Sequence, residues 1–329
     1  MLSTMRTVLC LFVPAFLLGV AVCAPARAAP EFTGDRFPYD AFDTLTTTPI
    51  TVGGGTLNVA FAPGKLALRR RTIMAWLEKS AHAVAVYFGK FPVKSARVLI
   101  VPVPGDGVQS GTTFGFRGAA IRLQVGSDAT EADLDEDWKA VHEMTHLALP
   151  DVEDSQLWLA EGIAVYVEPI ARVQDRDLAA EKIWGDMVRD MKQGLPKPGD
   201  RGLDHTPTWG RTYWGGAIFC LLADIDIRKQ TGNRLGLQQA LRGILDAGGD
   251  HEQDWNAWPV KRIFRVGDKA TGTKVLSDLY AKMRDKPYAP DLDELWRDLG
   301  VSVRDGQVTF DDNAPLAAIR RAITARPSD

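Results

Sequence analysis

Apolar residues recur along this chain with two different periods, and the change of period divides the sequence into two parts. Residues 50–61 alternate apolar and polar positions around a triple glycine, which predicts a strand or a hairpin with a turn. Residues 96–103 and 112–125 predict further strands, while residues 67–88 have apolar positions three and four apart and predict a helix. We therefore expect the chain up to about residue 130 to form a small sheet with a helix.

From residue 131 onward the apolar spacing is helical almost throughout. We expect one helix within residues 127–150, which Ser127, Asp128 or Thr130 could cap and Pro150 stops. A second helix is predicted over residues 157–168 and ends before Pro169. Further helices are predicted over residues 178–192, 213–230, 235–245, 274–284, 292–299 and 315–325, with a hairpin over residues 301–310. The predicted fold class is α+β, with a small N-terminal sheet and a mainly helical C-terminal half.

These elements suggest one main domain and a C-terminal extension. The main domain would comprise residues 29–250: an α/β part to about residue 130, two central helices over residues 131–169, and a helical part over residues 176–250. Residues 251–329 would form a mostly helical extension packed on the main domain.

The first 28 residues have the pattern of an export signal. Arg6 provides a positive start, residues 8–22 are apolar, and Ala26-Arg27-Ala28 is a small-x-small cleavage site. We expect cleavage near Ala28 and a periplasmic or secreted mature protein. No later run reaches the ~20 apolar residues of a membrane-spanning helix, so we expect no membrane span in the mature chain.

Composition restricts the partners of the mature chain. Cys220 would be its only cysteine, so we expect no internal disulfide. Removal of Arg6 and Arg27 leaves 37 basic and 42 acidic residues, a net charge of −5. This charge is spread along the chain and gives no reason to expect nucleic acid as a partner. The sequence leaves the oligomeric state open.

The stretch with the most chemical content is His142-Glu143-Met144-Thr145-His146, which is followed by Trp158-Leu159-Ala160-Glu161-Gly162. Two histidines four positions apart on a helix lie about 40° apart around its axis, so both imidazoles can reach one ion. Glu161, on the next predicted helix, would be the third ligand. Two histidines and one carboxylate leave a coordination position free, which is typical of catalytic zinc sites. Glu143 could then accept a proton from an activated water.

These residues resemble the motif of the gluzincin metallopeptidases, which belong to the peptidase MA-like clan and include aminopeptidase N and the glycyl aminopeptidases. A second block, Tyr213-Trp-Gly-Gly216-Ala217, is similar to the helix of glycyl aminopeptidases whose tyrosine assists catalysis. The resemblance covers roughly residues 98–245. It implies a zincin core like that of thermolysin, one zinc ion per chain, a peptide or protein substrate, and a catalytic hydrogen bond from Tyr213.

The sequence departs from those aminopeptidases in three ways. Fourteen residues separate His146 from Glu161, fewer than in aminopeptidase N relatives, so the turn between the two helices must be tighter. No glycine-x-methionine-glutamate-asparagine element precedes the metal-binding helix, and the strand expected there, residues 115–122, has no acid. A PDZ domain also has no evident counterpart. The resemblance therefore leaves open whether the enzyme would be an exopeptidase or an endopeptidase.

Two residues near Tyr213 are candidates for contacts with a substrate. His205 could donate a hydrogen bond, and Arg211 could bind a substrate carboxylate. Acids that could accept hydrogen bonds from the histidine ligands are Asp151, Asp154 and Glu168.

Three functions remain open at this stage. The first is an exported zinc peptidase, and the second is a non-catalytic relative that acts as a binding or assembly module. The third is a hydrolase of a non-peptide amide or a cell-wall peptide. The presence of Glu143 favours an enzyme, because a binding module does not need a general base.

Overall fold

The computed structural model of the protein describes residues 30–252 and 257–327. The predicted export signal, residues 1–28, lies outside the described residues, so export stays a prediction. Within those two described ranges, no helix is both long enough and apolar enough to cross a membrane.

A five-stranded sheet forms the N-terminal part of the fold. Its strands in chain order are β1 (Thr47–Val52), β2 (Gly55–Phe61), β3 (Ser95–Val103), β4 (Val108–Phe114) and β5 (Ala120–Gly126). The order across the sheet is β1-β2-β3-β5-β4, with β2, β3 and β5 parallel and the outer strands antiparallel to their neighbours. β4 is therefore an edge strand, and one side of its backbone pairs with no strand of the described chain.

The sheet confirms one strand prediction and corrects another. β1 and β2 form a hairpin, one of the two arrangements predicted over residues 50–61, and it begins three residues earlier at Thr47. The single strand predicted over residues 112–125 is wrong, because two antiparallel strands, β4 and β5, occupy this stretch. Arg117 and Gly118 adopt positive φ angles of 60° and 91° and reverse the chain between them. Apolar and polar residues alternate in β5 but not in β4, so the pattern alone gave no separate signal for β4.

Two helices occur in the chain before the central helices: α1 (Pro30–Thr33) and α2 (Arg70–Phe88). α2 agrees with the helix predicted over residues 67–88, and it connects β2 to the parallel strand β3. Its apolar face includes Ile73, Leu77 and Val84, which are completely buried. The connection places α2 on the same core as the central helices.

The helix predicted within residues 127–150 is wrong as a single element, because it is two helices, α3 (Glu131–Glu136) and α4 (Lys139–His146). Thr130 caps α3, as the sequence allowed, in a reciprocal pair of hydrogen bonds with Asp133. The chain becomes extended at Asp137, whose carboxylate accepts a hydrogen bond of 3.0 Å from the backbone N–H of Ala140. The break therefore gives the short α4 helix its own acidic cap.

The second central helix, α5 (Leu157–Gln174), is longer than predicted and continues through Pro169. Proline removes one backbone hydrogen bond, and this usually ends or kinks a helix. Here Ile170, Ala171 and Gln174 are almost completely buried after the proline, so packing maintains the helix beyond it.

The remaining elements continue the helical part of the fold. They are α6 (Ala180–Asp190), α7 (Gly216–Gln230), α8 (Leu237–Asp246), α9 (Val260–Thr271), α10 (Val275–Met283), α11 (Leu292–Leu299), β6 (Val301–Arg304), β7 (Gln307–Phe310) and α12 (Ala317–Thr324). The predicted hairpin over residues 301–310 is confirmed as β6 and β7, whereas α9 was not predicted. α9 packs on α8, and one apolar core extends from the sheet into the C-terminal helices.

Candidate active site

Three side chains that could bind a metal converge where α4 meets α5. His142 and His146 lie one turn apart on α4, and Glu161 lies in the second turn of α5. Nε2 of His142 is 3.2 Å from Oε2 of Glu161, and Nε2 of His146 is 3.7 Å from the same oxygen. One ligand atom from each of the three residues lies within 4.8 Å of the others. The structure therefore brings together the three residues that the sequence predicted as ligands.

The separations of the two histidine nitrogens from the Glu161 oxygen are close to those of a zinc site. Nitrogen and oxygen ligands at ~2.0–2.2 Å from a tetrahedral zinc ion lie roughly 3.3–3.5 Å apart. The two measured separations, 3.2 and 3.7 Å, lie on either side of this range. Small adjustments of the side chains would thus complete the geometry, and the donor set fits zinc.

The protonation states of the three side chains also suit a divalent cation. Burial lowers the pKa of His146 to about 4, so its imidazole is neutral at pH 7, as a metal ligand must be. Burial acts to raise the pKa of Glu161, but His146, His142 and a hydrogen bond from Tyr213 outweigh it and lower that pKa. Burial acts to lower the pKa of His142, yet Glu161 and the neighbouring acids raise it. The surroundings of His142 are therefore negative and favour a cation.

A close contact between two glycines brings α5 and α7 together beside the ligands. A Cβ atom added to Gly162 would lie 2.3 Å from Cα of Gly216, so the helix backbones touch at this point. Gly162 follows Glu161, and Gly216 follows the short π-helix Arg211–Gly215 that carries Tyr213. The contact explains how Tyr213 reaches the carboxylate of Glu161, with which it forms a hydrogen bond.

Glu143 is buried between α4 and the edge strand β4. The hydroxyl of Thr113 lies 2.7 Å from Oε2 of Glu143 and 2.8 Å from its backbone oxygen. A Cβ atom on Gly111 would lie 2.5 Å from Cγ of Glu143, so only a glycine leaves room for this side chain. Burial raises the pKa of Glu143 to about 7, although His142 and Thr113 act to lower it. A carboxyl group with this pKa can both accept and release a proton near neutral pH.

The helix that carries Tyr213 begins differently from the prediction. Residues 213–230 were predicted as one helix, but residues Arg211–Gly215 form a wider π-helical turn before α7 starts at Gly216. Such turns are rare and occur frequently at functional sites. The ring of Trp209 stacks on Tyr213 with 5.8 Å between ring centroids.

Arg211, which was predicted to bind a substrate carboxylate, makes contacts within its own loop. Its side chain is buried, its Nε lies 2.8 Å from Oδ2 of Asp200, and its Nη1 donates to the backbone oxygen of Gly194. These bonds hold the loop before Tyr213 and leave the guanidinium unavailable to a substrate carboxylate. His205 is exposed, with Nε2 3.0 Å from Oδ1 of Asp285. Its predicted contact with a substrate stays a prediction.

The acids proposed as partners of the histidine ligands have other contacts. Glu168 accepts a hydrogen bond of 3.2 Å from Arg172, and Asp151 pairs with His251. Nδ1 of His142 is buried and has no hydrogen-bond partner in the described ranges of the chain. Glu168 nonetheless acts on His142 through its charge, because it contributes to the raised pKa of that histidine.

The strand beside the metal helix is also not the one expected. Residues 115–122 were assigned to that position, but β4, which ends at Phe114, packs against α4. Like the stretch assigned before, β4 contains no acidic residue. Gly111 and Thr113 on this strand are site residues that the sequence analysis missed. Neither had a clear sequence signal, because apolar and polar residues do not alternate in β4 and nothing in the sequence shows that this strand faces Glu143.

The fold can be placed by comparison with solved structures. It is similar to that of an aminopeptidase N family protein from Idiomarina loihiensis, with a TM-score of 0.56 and 16% sequence identity. The match covers 83% of this chain and 53% of that protein. An M1 zinc metallopeptidase from Deinococcus radiodurans matches with a TM-score of 0.49 and 15% identity, over 74% of this chain and 52% of the other.

The matched structural neighbours are thus zinc metallopeptidases and aminopeptidase N family proteins, and the chain spans about half of their length. No protein-family model matches the sequence. The comparison with curated proteins gives no match either. At these identities the likeness concerns the fold, so the chemistry must be argued from the side chains of this chain.

Proposed function

We propose that the protein is a zinc-dependent peptidase built on a zincin-like core. The observation that carries this proposal is the convergence of His142, His146 and Glu161 within 4.8 Å, in a fold similar to that of an aminopeptidase N family protein. Glu143 beside this group supports an enzyme over a binding module, because its buried carboxyl has a pKa of about 7. We expect one zinc ion per chain.

The residues around the metal site can each be given a role. Zinc held by the two histidines and Glu161 supplies Lewis acidity, which polarises a carbonyl group and makes water more acidic. Glu143 is the general base that accepts the proton of the attacking water and transfers it to the leaving amine. Thr113 holds this carboxyl group in place. Tyr213 reaches the ligand cluster and would donate to the substrate oxygen on which negative charge develops.

An extended peptide is the substrate that the surroundings of the site fit best. The free side of β4 offers backbone N–H and C=O groups to which such a peptide can pair, directly beside Glu143. In the described parts of the chain, the two exposed tryptophans are Trp138 and Trp209, and both contact site residues. Their rings lie 5.2 Å from that of His142 and 5.8 Å from that of Tyr213. Exposed indoles at these positions can bind apolar substrate side chains.

The proposal includes export of the protein. It rests on the sequence of residues 1–28, and it places the enzyme in the periplasm or outside the cell, with a peptide or protein as substrate. The cleavage of the signal can be measured by sequencing the N-terminus of the mature protein.

A comparison of two glutamate variants tests the proposed function. Zinc-loaded wild-type protein is incubated with a mixed peptide library, and bound zinc is measured by atomic emission. Glu143→Gln is expected to keep its zinc and to lose roughly 100- to 10,000-fold in hydrolysis. Glu136→Gln, which changes an exposed residue of the adjacent helix α3, is the matched control and should match the wild type.

Two results would favour the other functions. If wild type and Glu143→Gln bind peptides alike and neither hydrolyses them, the chain is a binding or assembly module. If the wild type hydrolyses cell-wall peptides or non-peptide amides but not the library, the assignment of the catalytic residues is supported. The proposed substrate class is then wrong.

A further inference from the structure

A carboxylate that the mechanism does not use lies at the end of the edge strand β4. Gly111 and Thr113 face Glu143, and Gly115, two positions after Thr113, directly follows the last residue of β4. A Cβ atom on Gly115 would lie 2.8 Å from Cδ2 of His251 and 3.4 Å from Oδ2 of Asp151. Asp151 and His251 therefore meet the strand two residues, or about 7 Å, beyond the contact with Glu143.

The carboxylate of Asp151 is held in one position. Nε2 of His251 donates to Oδ1 of Asp151 at 2.9 Å, and the backbone N–H of His251 donates to Leu147, the residue after the ligand His146. The backbone oxygen of Asp151 accepts from Trp258 at 3.0 Å. The Asp151 side chain is nevertheless 43% exposed, whereas that of His251 is 11% exposed. A negative group is thus fixed by the protein and presented to the solvent.

This pair is poorly suited to a structural role. A hydrogen bond between a histidine and a half-exposed acid contributes little to stability. Nδ1 of His251 is buried without a hydrogen-bond partner in the described parts of the chain, and an unpaired buried nitrogen subtracts from stability. Selection for stability alone therefore does not account for the arrangement.

We propose that Asp151 binds a positively charged group of the substrate and that His251 positions its carboxylate. This inference rests on the proposed peptidase function and makes it more specific. A peptide paired with β4 advances about 3.3 Å per residue, so a cation one or two residues from the cleaved bond reaches Asp151. Two sources supply such a cation: the free α-amino group of the peptide, or a lysine or arginine side chain.

Binding of three short peptides to one inactive background tests the proposal. The background is the zinc-loaded Glu143→Gln protein, and the probes are Ala-Ala-Ala, N-acetyl-Ala-Ala-Ala and N-acetyl-Lys-Ala-Ala, measured by calorimetry. Adding Asp151→Asn removes the charge but keeps an oxygen that accepts from His251. We expect it to weaken binding of at least one cationic probe roughly 10- to 100-fold and to leave the neutral probe within about twofold.

The probes also distinguish the two sources of the cation. If Asp151→Asn weakens the binding of Ala-Ala-Ala alone, the cation is the α-amino group and the enzyme is an aminopeptidase. If Asp151→Asn weakens the binding of N-acetyl-Lys-Ala-Ala, the cation is a basic side chain and the enzyme cleaves within a peptide chain. Asp154→Asn, which removes an exposed acid from the same loop, is the matched control and should change none of the three affinities.

The role of His251 is tested through the ratio of the affinities for the cationic probe and the neutral probe. His251→Phe should reduce the preference for the cationic probe, and His251→Gln, which keeps an N–H donor, should restore part of it. The proposal is overturned if Asp151→Asn weakens all three probes equally or weakens none. Hydrolysis by the wild-type enzyme is a separate measurement, so loss of the cation site and loss of the peptidase function give different results.

Discussion

The contact between α5 and α7 at Gly162 and Gly216 allows a quantitative prediction for Gly162→Ala. The added Cβ atom would lie 2.3 Å from Cα of Gly216, whereas non-bonded carbon atoms need about 3.5 Å or more. The two helices must therefore separate by roughly 1.2 Å or distort. The three nearest neighbours of the new methyl group are all backbone atoms, of Gly216 and Ala217, so rotation of a side chain cannot relieve the clash.

The separation should reduce both stability and metal affinity. Overpacking of a core costs ~1–3 kcal/mol, and we expect the upper part of this range because backbone atoms clash. Replacement of a helical glycine by alanine returns about 0.5–1 kcal/mol. For a chain of about 300 residues, a net loss of about 2 kcal/mol lowers the melting temperature by roughly 3 °C. Because Glu161 precedes Gly162, its carboxylate also moves relative to His142 and His146, and zinc affinity should fall about 10- to 100-fold.

Urea unfolding of the metal-free protein and zinc competition with a chelator measure the two effects. Gly185→Ala in α6 is the matched control, because its new Cβ atom would meet a single methyl group, Cγ2 of Val308, at 2.7 Å. That side chain can rotate away, so the control should be as stable as the wild type within about 1 kcal/mol. If Gly162→Ala unfolds like the wild type and binds zinc equally well, the close crossing does not position Glu161.

Three further predictions concern the site and its support. Gly111→Ala should lower hydrolysis at least about 100-fold and keep the zinc content, because the new methyl group displaces Glu143; unchanged kcat would refute this. Burial raises the pKa of Glu168 from 4.5 to about 7, so the folded protein holds this proton more tightly than the unfolded chain. The metal-free wild type should therefore lose up to ~3 kcal/mol of stability, relative to Glu168→Gln, between about pH 4.5 and pH 7. If the stabilities of the two proteins, measured by urea unfolding, change in parallel between these pH values, the predicted loss is wrong. Arg211→Met leaves Asp200 buried without its partner and should cost about 3–5 kcal/mol, with part recovered by adding Asp200→Asn. A changed KM at unchanged stability would instead restore a substrate role for Arg211.

The metal ligands on α4 could be predicted because their relation is local. His142 and His146 share a helix face through helical geometry alone, and this holds even though α4 is shorter than expected. Thr130 as a helix cap, the β1–β2 hairpin and the β6–β7 hairpin also depend on neighbouring residues. Glu161 could be proposed as the third ligand because a short turn joins the two helices.

The features that the sequence did not reveal depend on residues far apart in the chain. Thr113 holds Glu143 from a strand that the sequence pattern did not separate from its neighbour β5. α5 continues past Pro169 because its end is buried, and burial is decided by other elements. Arg211 was a candidate because it is close to Tyr213 in the sequence, but its buried side chain forms an ion pair with Asp200.

For this protein, the sequence by itself determined which side chains could bind a metal and that two of them share a helix face. The tertiary structure decided which strand covers Glu143, that Arg211 is buried, and that Asp151 and His251 meet beyond the end of β4. The physical reason is that helical periodicity is set by backbone geometry within one turn. The pairing of distant residues follows instead from burial of apolar surface, which many elements share.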